Sequence, residues 1–148
     1  MVAMGPDELN AFLNAAFPDT TLPMNVTRSD DAGVEMLWPY HQSQLRPGGT
    51  ISGPTLMTLA DTVAYCAVVA LIGPEYLTVT SHLAIDFLRK PPPADLRVHG
   101  EVLKLGRRQA VIAIRIHSAA DDALVASSTA TYALPSTLSP GVALPPRP

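Results

Sequence analysis

Hydrophobic residues recur with two different periods along the chain, and each period predicts one type of element. From Pro6 to Phe17 the apolar side chains are spaced by three or four residues, which is typical of an amphipathic helix. Residues 1–18 are therefore predicted to hold a short helix that covers one end of a core. Two extended runs follow, Met24–Arg28 and Val34–Trp38, and the turn-forming residues between them favour a β-hairpin.

After residue 76 the hydrophobic period changes to two, which is the period of a strand with one buried face. The first such run extends from Leu77 to Phe87 and is followed by three prolines. Further runs span Leu96–Leu105, Gln109–His117 and Leu124–Leu134. We predict a meander of long antiparallel strands. Residues 135–148 contain five prolines and no periodic pattern, so we expect a mobile tail.

A segment between Gly53-Pro54 and Gly73-Pro74 is apolar on nearly every side, which predicts a central helix over residues 54–72. A helix of this kind lies either inside a fold or inside a membrane. Asp61 would stand near the middle of a membrane span, and no basic cluster flanks the segment, so we expect no membrane insertion. The remaining arrangement is an α+β fold, with a curved antiparallel sheet around one long helix, in a single domain of residues 1–134.

One polar stripe runs along the predicted central helix. Its members are Thr55, Thr58, Thr62 and Tyr65. Asp61 stands beside this stripe and is the only charged residue between positions 51 and 74. A carboxylate on a buried helix is costly unless it is hydrogen-bonded, and a fold rarely keeps one without a use. Asp61 is therefore the candidate catalytic group, and the alternative is that it only bonds neighbouring hydroxyl or amide groups.

A glycine-containing loop, residues 48–54, leads into the start of this helix. The first N–H groups of a helix have no partner inside the helix, and together with the helix dipole they favour negative charge. Such a place can hold the oxyanion of an acyl-transfer reaction. The alternative is a tight turn that needs the conformational freedom of glycine.

The positions of Gly49, Gly53 and Leu59-Ala60-Asp61 resemble those in hotdog-fold acyl-coenzyme A thioesterases of the phenylacetic acid degradation type, the PaaI-like family. In that family a loop of the pattern Asn-x-x-Gly-x-x-His-Gly-Gly opens the central helix, and an Asp or Glu follows its first terminal glycine by eight residues. The resemblance covers roughly residues 33–134. It also includes Val79-Thr80-Ser81, Ile85-Asp86-Phe87-Leu88-Arg89, Gly106-Arg107-Arg108 and Leu124-Val125-Ala126.

The resemblance implies a homodimer or homotetramer whose subunits pair edge to edge, with active sites at the dimer interface. It assigns Asp61 as general base or nucleophile, Gly53 as the backbone N–H that meets the thioester oxygen from the partner subunit, and Thr80 as the residue that orients the water or the carboxylate. The reaction that the resemblance implies is hydrolysis of an acyl-coenzyme A thioester. This reaction needs a base for the water and hydrogen-bond donors for the oxyanion. We expect no metal and no cofactor, because coenzyme A enters only as part of the substrate.

This chain departs from the family pattern within the loop. The family's asparagine falls on Arg46, its histidine on Ser52 and its second terminal glycine on Pro54. Arg46 and Ser52 are assigned by position to substrate binding. Two basic pairs beside predicted turns either bind the phosphates of coenzyme A or are solvated charges. These pairs are Arg89-Lys90 and Arg107-Arg108.

Composition limits the remaining possibilities. The chain is 47% hydrophobic and only 16% charged, which favours a surface covered by other subunits. A net charge of −3 provides no basic field for nucleic acid. The single cysteine, Cys66, and the lack of a secretory signal in residues 1–17 favour the reducing cytoplasm.

Two other functions on the same fold stay open at this stage. A non-catalytic acyl-coenzyme A sensor fits the altered loop at Ser52 and Pro54. A hydratase or dehydratase is the less favoured alternative, because that class uses a histidine and none lies in the helix or its opening loop. The acyl group itself is not predicted.

Overall fold

The computed structural model of the protein describes residues 2–19 and 24–138, so most of the predicted tail lies outside the described residues. The helices are α1 (Pro6–Ala16) and α2 (Gly53–Ile72). The strands are β1 (Asn25–Asp30), β2 (Gly33–Trp38), β3 (Leu45–Arg46), β4 (Thr50–Ile51), β5 (Val79–Phe87), β6 (Leu96–Leu105), β7 (Gln109–Ser118) and β8 (Leu124–Ala133).

Six of these strands form one antiparallel sheet in the order β1-β2-β6-β7-β8-β5. The predicted hairpin is β1 and β2, and the predicted meander is correct for β6, β7 and β8. It is wrong for β5, which pairs with β8 instead of β6. The reason is the loop after α2: it brings the chain to the β8 side of the sheet, where the Tyr65 hydroxyl donates to the carbonyl oxygen of Glu75, and the proline-rich connection after β5 carries the chain back to the middle. That connection is tied to β4 by a hydrogen bond from Ile51 N to Pro91 O.

Helix α2 packs against the inner face of the sheet, as the predicted hotdog architecture requires. Its side chains Leu59, Val63 and Val68 are at most 2% exposed. Strand β6 approaches the helix closely at Gly100, where a Cβ atom would lie 3.2 Å from the carbonyl oxygen of Val63. The helix is long and apolar enough to cross a membrane, but 67% of its most hydrophobic window is buried inside the protein, and this burial accounts for its composition.

The two edges of the sheet differ in character. The β1 edge is mostly polar, since it carries Thr27, Arg28 and Asp30. The β5 edge carries large apolar side chains in the open: Val79 is 56% exposed and Phe87 is 52% exposed. Edge strands of monomeric proteins are normally protected by charge or by cover. The β5 edge is therefore the more apolar and less protected of the two.

Candidate active site

Asp61 is half-buried on α2, and its carboxylate is held by two hydroxyl groups. Thr80 Oγ1 donates a hydrogen bond of 2.5 Å to Asp61 Oδ1. The hydroxyl of Tyr132 lies 2.5 Å from the same Oδ1 and 2.8 Å from the backbone oxygen of Asp61. Within residues 24–138 no hydrogen bond is made to Asp61 Oδ2. One carboxylate oxygen is thus fixed in place while the other is available to a substrate or a water molecule.

The sheet register explains why these two hydroxyl groups meet. Thr80 on β5 and Tyr132 on β8 are directly paired across the ladder. Both stand where the sheet faces the middle of α2, and the Tyr132 side chain is only 3% exposed. A β-bulge follows Thr80 and changes the pairing from that point on. The pairing of β5 with β8 therefore places the two donors beside one carboxylate.

Tyr132 was not singled out by the sequence analysis. It lies 71 residues after Asp61, in a strand where it follows the ordinary inward alternation. Its only signal was a tyrosine hydroxyl at an inward position, which normally needs a hydrogen-bond partner. The predicted strand order did not place β8 beside β5, so it did not indicate that Tyr132 and Thr80 contact the same carboxylate, that of Asp61.

Burial raises the pKa of Tyr132 well above its usual value of 10.0, and the hydrogen bond to Asp61 raises it further. Burial also raises the pKa of the nearby Tyr65 to about 12. Both phenols therefore stay protonated at neutral pH. Tyr132 consequently remains a hydrogen-bond donor to the carboxylate.

At the start of α2, one N–H group has no acceptor in the part of the chain that the structure describes. Ser52 is the N-cap residue: its hydroxyl accepts from the N–H of Thr55 and also bonds the Thr55 hydroxyl at 2.8 Å. Pro54 has no N–H, and the N–H of Leu56 donates to the carbonyl of Ser52. Gly53 is left as the only one of the first four helical residues whose N–H has no acceptor among the described residues. Ser52, which the resemblance assigned to substrate binding, here uses its hydroxyl to cap the helix.

The loop before the helix is a small hairpin of β3 and β4. Its turn contains Gly48 and Gly49, which have φ angles of 101° and 78°, a region that favours glycine. Arg46 is exposed in this hairpin, and its carbonyl oxygen accepts from the N–H of Gly49 at 3.1 Å. Its guanidinium lies beside the same turn, since a Cβ atom on Gly48 would stand 4.0 Å from Arg46 Nη1.

Gly53 and Asp61 are too far apart within one chain to act on one carbonyl group. Eight residues separate them, which is about 12 Å along a helix. Gly53 lies instead beside the last residue of β5, since a Cβ atom on Gly53 would stand 3.5 Å from the ring of Phe87. Thr80, the partner of Asp61, lies at the other end of the same strand.

The two basic pairs are also at opposite ends of the sheet. Arg89 and Lys90 follow the end of β5, where the N–H of Arg89 donates to Val125 O. Arg107 and Arg108 form the β6–β7 turn, which lies at the same end of the sheet as the start of β5, with β8 between them. All four side chains are exposed. A single subunit therefore does not bring them together into one patch.

A cleft of about 420 Å³ opens beside Asp61. One end of it is formed by Asp61, Thr80 and Tyr132. The rest of its lining is Phe17, Thr62, Tyr65, Tyr76, Thr78 and Val79. The carboxylate thus lies at the side of a largely aromatic space large enough for a small acyl group.

This combination of helix, sheet and site agrees with the comparisons with known proteins. The model of the family described as thioesterase superfamily matches residues 48–125, more than half of the chain. The chain belongs to the thioesterase superfamily. The expected PaaI-like hotdog architecture is confirmed, and the expected class of enzyme, a thioester hydrolase, is the class that gives the family its name.

Individual relatives support the same family. A candidate esterase of Pseudomonas aeruginosa is 39% identical over 89 residues, which are 60% of this chain and 65% of that protein, so the chain spans less than two thirds of this relative. The structure of a candidate thioesterase from Silicibacter is 36% identical, with a TM-score of 0.83 and coverage of 91% of this chain and 94% of that one. The PaaI protein from the phenylacetic acid degradation operon of Escherichia coli shares the fold, with a TM-score of 0.73, 20% identity and coverage of 86% and 94%.

Proposed function

We propose that the protein hydrolyses an acyl-coenzyme A thioester to the free acid and coenzyme A, with Asp61 as the catalytic carboxylate. The observation that carries this proposal is the carboxylate itself, which has one oxygen held by Thr80 and Tyr132 and the other free beside a cleft. Family membership supports the reaction class.

Asp61 Oδ2 can act in either of two ways. As a general base it removes a proton from water, whose oxygen then attacks the thioester carbonyl. As a nucleophile it attacks the carbonyl directly and forms an anhydride, which water later cleaves. In both routes the C–S bond breaks, the thiolate takes up a proton, and no electron acceptor, metal or cofactor is required.

The oxyanion donor in this proposal comes from a second subunit. Antiparallel pairing of two β5 edges about a two-fold axis places the start of one β5 strand opposite the end of the other. Because Gly53 lies at the end of β5 and Asp61 at its start, the free N–H of Gly53 of the partner subunit approaches Asp61. The apolar side chains on this edge, Val79 and Phe87 among them, support such an interface.

The same pairing unites the basic residues. Arg89 and Lys90 of the partner subunit come to the end of the sheet that carries Arg107 and Arg108. Together they supply four positive charges for the phosphates of coenzyme A, and Arg46 adds a fifth near the start of the helix. A homodimer is the smallest assembly that completes the site, and a homotetramer of two such dimers in the cytoplasm is part of the same proposal.

Replacement of Asp61 by asparagine tests the catalytic assignment. Asparagine keeps the size of the side chain and still accepts a hydrogen bond, but it is not basic. We expect turnover of acyl-coenzyme A substrates to fall by at least about a hundredfold while substrate binding is retained. The melting temperature should hold or rise. Glu101→Gln, an exposed change of acid to amide on β6 outside the site, is the matched control and should leave both quantities unchanged.

A second candidate function is a sensor that binds acyl-coenzyme A without hydrolysing it. The observation in its favour is the loop, in which Arg46 and Ser52 replace the family's asparagine and histidine and Ser52 is used as a helix cap. The same measurement separates the two functions. A wild-type protein that binds acyl-coenzyme A but turns it over no faster than Asp61→Asn is a sensor, whereas a difference of a hundredfold establishes the hydrolase.

A further inference from the structure

The outer face of the sheet, which points away from α2, carries four basic residues on the neighbouring strands β6 and β7. Arg97 pairs directly with His117, and His99 pairs with Arg115. The residues between them on each strand are buried on the inner face, so these four side chains project outward. We call these four residues the Arg-His square. It lies on the opposite side of the sheet from Asp61.

A cavity of about 340 Å³ opens over the Arg-His square. Arg28, Glu35 and Asp122 complete its charged lining. On the β8 side the square meets Leu124 and Ser127, which carry no charge. Side chains that face each other across two strands stand roughly 5 Å apart, and successive side chains on one face of a strand stand roughly 7 Å apart. Arginine and histidine side chains are long enough to meet one small anion over a square of this size.

Two of the three arginines that line this cavity have carboxylate partners. Arg28 is paired with Asp30 at 2.8 Å and with Glu35 at 3.4 Å. Arg97 is paired with Asp122, whose side chain is 73% exposed in the turn after β7. The β6 half of the square therefore already holds one anionic group, which the protein itself supplies.

The β7 half of the square has no such partner. Among the described residues, the side chains of Arg115 and His117 make no hydrogen bond and no ion pair. His99 donates from Nε2 to the carbonyl oxygen of Ala32 at 2.9 Å, which leaves Nδ1 as the nitrogen that can take up a proton. Burial lowers the pKa of His117, and the positive charges of Arg97, Arg115 and His99 lower it further. Like charges that face each other across strands are destabilising, and an anion placed among them would relieve the repulsion.

We propose that the Arg-His square binds a phosphate group, as free phosphate or as a phosphomonoester, at a site separate from the cleft beside Asp61. Arg115 supplies a planar pair of N–H donors, which suits phosphate oxygens, and the two histidines add donors when they are protonated. A phosphomonoester carries about −1.5 to −2 charges at pH 7, more than the single charge of a carboxylate, so the square favours phosphate over a carboxylic acid. Such binding does not depend on the proposed thioester hydrolysis.

The response of His117 to phosphate tests this proposal. NMR spectra of protein labelled in its histidine rings, recorded as a function of pH, give the pKa of His117, and His117→Asn assigns the signal. Phosphate or glycerol phosphate should raise this pKa by about 0.5 or more relative to sodium chloride at the same ionic strength, because a bound anion favours the protonated ring. A response to both anions, or to one of them, supports the site and shows which form of phosphate it accepts.

Arg115→Gln separates binding at the square from a general effect of salt. This change should itself raise the pKa of His117, since a neighbouring positive charge is lost, and it should abolish the further rise caused by phosphate. Lys104→Gln removes an exposed positive charge elsewhere on β6 and should leave the response intact. A pKa of His117 that neither anion raises, or that rises equally in Arg115→Gln, overturns the proposal. A response to free coenzyme A alone also overturns it, because the square would then belong to the coenzyme's own site.

Discussion

Thr80 supplies a hydroxyl group that valine, a side chain of the same shape, lacks. Thr80→Val should lower kcat by about tenfold or more, because a hydrogen bond to a charged group is lost and Asp61 is no longer held on that side. KM and the melting temperature should change little, since Thr80 is exposed. Thr80→Ser keeps the hydroxyl and should recover most of the activity. Steady-state kinetics on both variants check this, and a serine variant as slow as the valine variant would mean that the methyl group, not the hydroxyl, matters.

Three buried acids make the stability of the protein sensitive to alkali. Burial raises the pKa of Cys66 from 9.0 to about 12 and that of Tyr65 from 10.0 to about 12, and it raises the pKa of Tyr132 further. In this range the unfolded chain loses protons that the folded protein keeps, so stability falls as pH rises. The free energy of unfolding should be fully retained below about pH 9 and should be lost progressively between about pH 9 and 12.

Urea unfolding between pH 8 and pH 11 measures this loss. The decline with pH should be shallower in Tyr132→Phe and in Cys66→Ala than in the wild type, because each variant removes one of the groups that ionise on unfolding. A wild-type free energy of unfolding that stays level to pH 11 would contradict the raised pKa values. So would a decline that is as steep in both variants as in the wild type.

The sequence indicated some of the site residues but not their contacts. Asp61 stood out because it is the only charge in an apolar helix, and the resemblance then assigned Thr80. Tyr132 was out of reach because its importance depends on which strands are neighbours, a property that no local pattern encodes. Ser52 was assigned to substrate binding by its position in the family pattern. In the structure its hydroxyl accepts a hydrogen bond from the N–H of Thr55, and serine is one of the preferred N-cap residues of helices.

At the scale of elements, a substitution at Gly53, the first residue of α2, should affect activity much more than stability. Gly53→Ala should leave the melting temperature unchanged or lower it slightly, because the new Cβ would meet only the ring of Phe87 at an ordinary contact distance but would be crowded by the ring of the following Pro54. The same methyl group should obstruct the approach of a thioester oxygen to the Gly53 N–H and should lower kcat by about tenfold or more. Thermal unfolding and kinetics on one preparation give both values, and a variant with full activity would exclude Gly53 as the oxyanion donor.

The helices and most strands followed from hydrophobic periodicity, because that pattern reports which faces are buried. The observed α2 begins one residue before the predicted start and ends at the predicted residue. Strand order was harder to predict, since alternation in β5 is the same whether it pairs with β6 or with β8. The deciding factor is the loop after α2, which brings the chain to the free side of β8.

At the scale of the whole molecule, the sheet has one polar edge and one apolar edge. The apolar edge belongs to β5, which also carries Thr80 at one end and lies beside Gly53 at the other. A low content of charged residues suggested subunit contacts in general, and the structure indicates the edge on which they would form. The proposed shared site therefore links assembly to catalysis, because it combines Asp61 of one chain with Gly53 of the other.

A hybrid dimer tests the shared site most directly. Asp61→Asn and Gly53→Ala chains, each slow on its own, are co-expressed with different affinity tags, and dimers that contain one chain of each are purified. One of the two sites in such a hybrid combines the intact Asp61 of one chain with the intact Gly53 of the other, so kcat per dimer should recover to about half of the wild-type value. A hybrid made of two differently tagged Asp61→Asn chains is the control and should stay slow. Recovery of activity would establish the composite site, and a mixed hybrid as slow as its parents would contradict it.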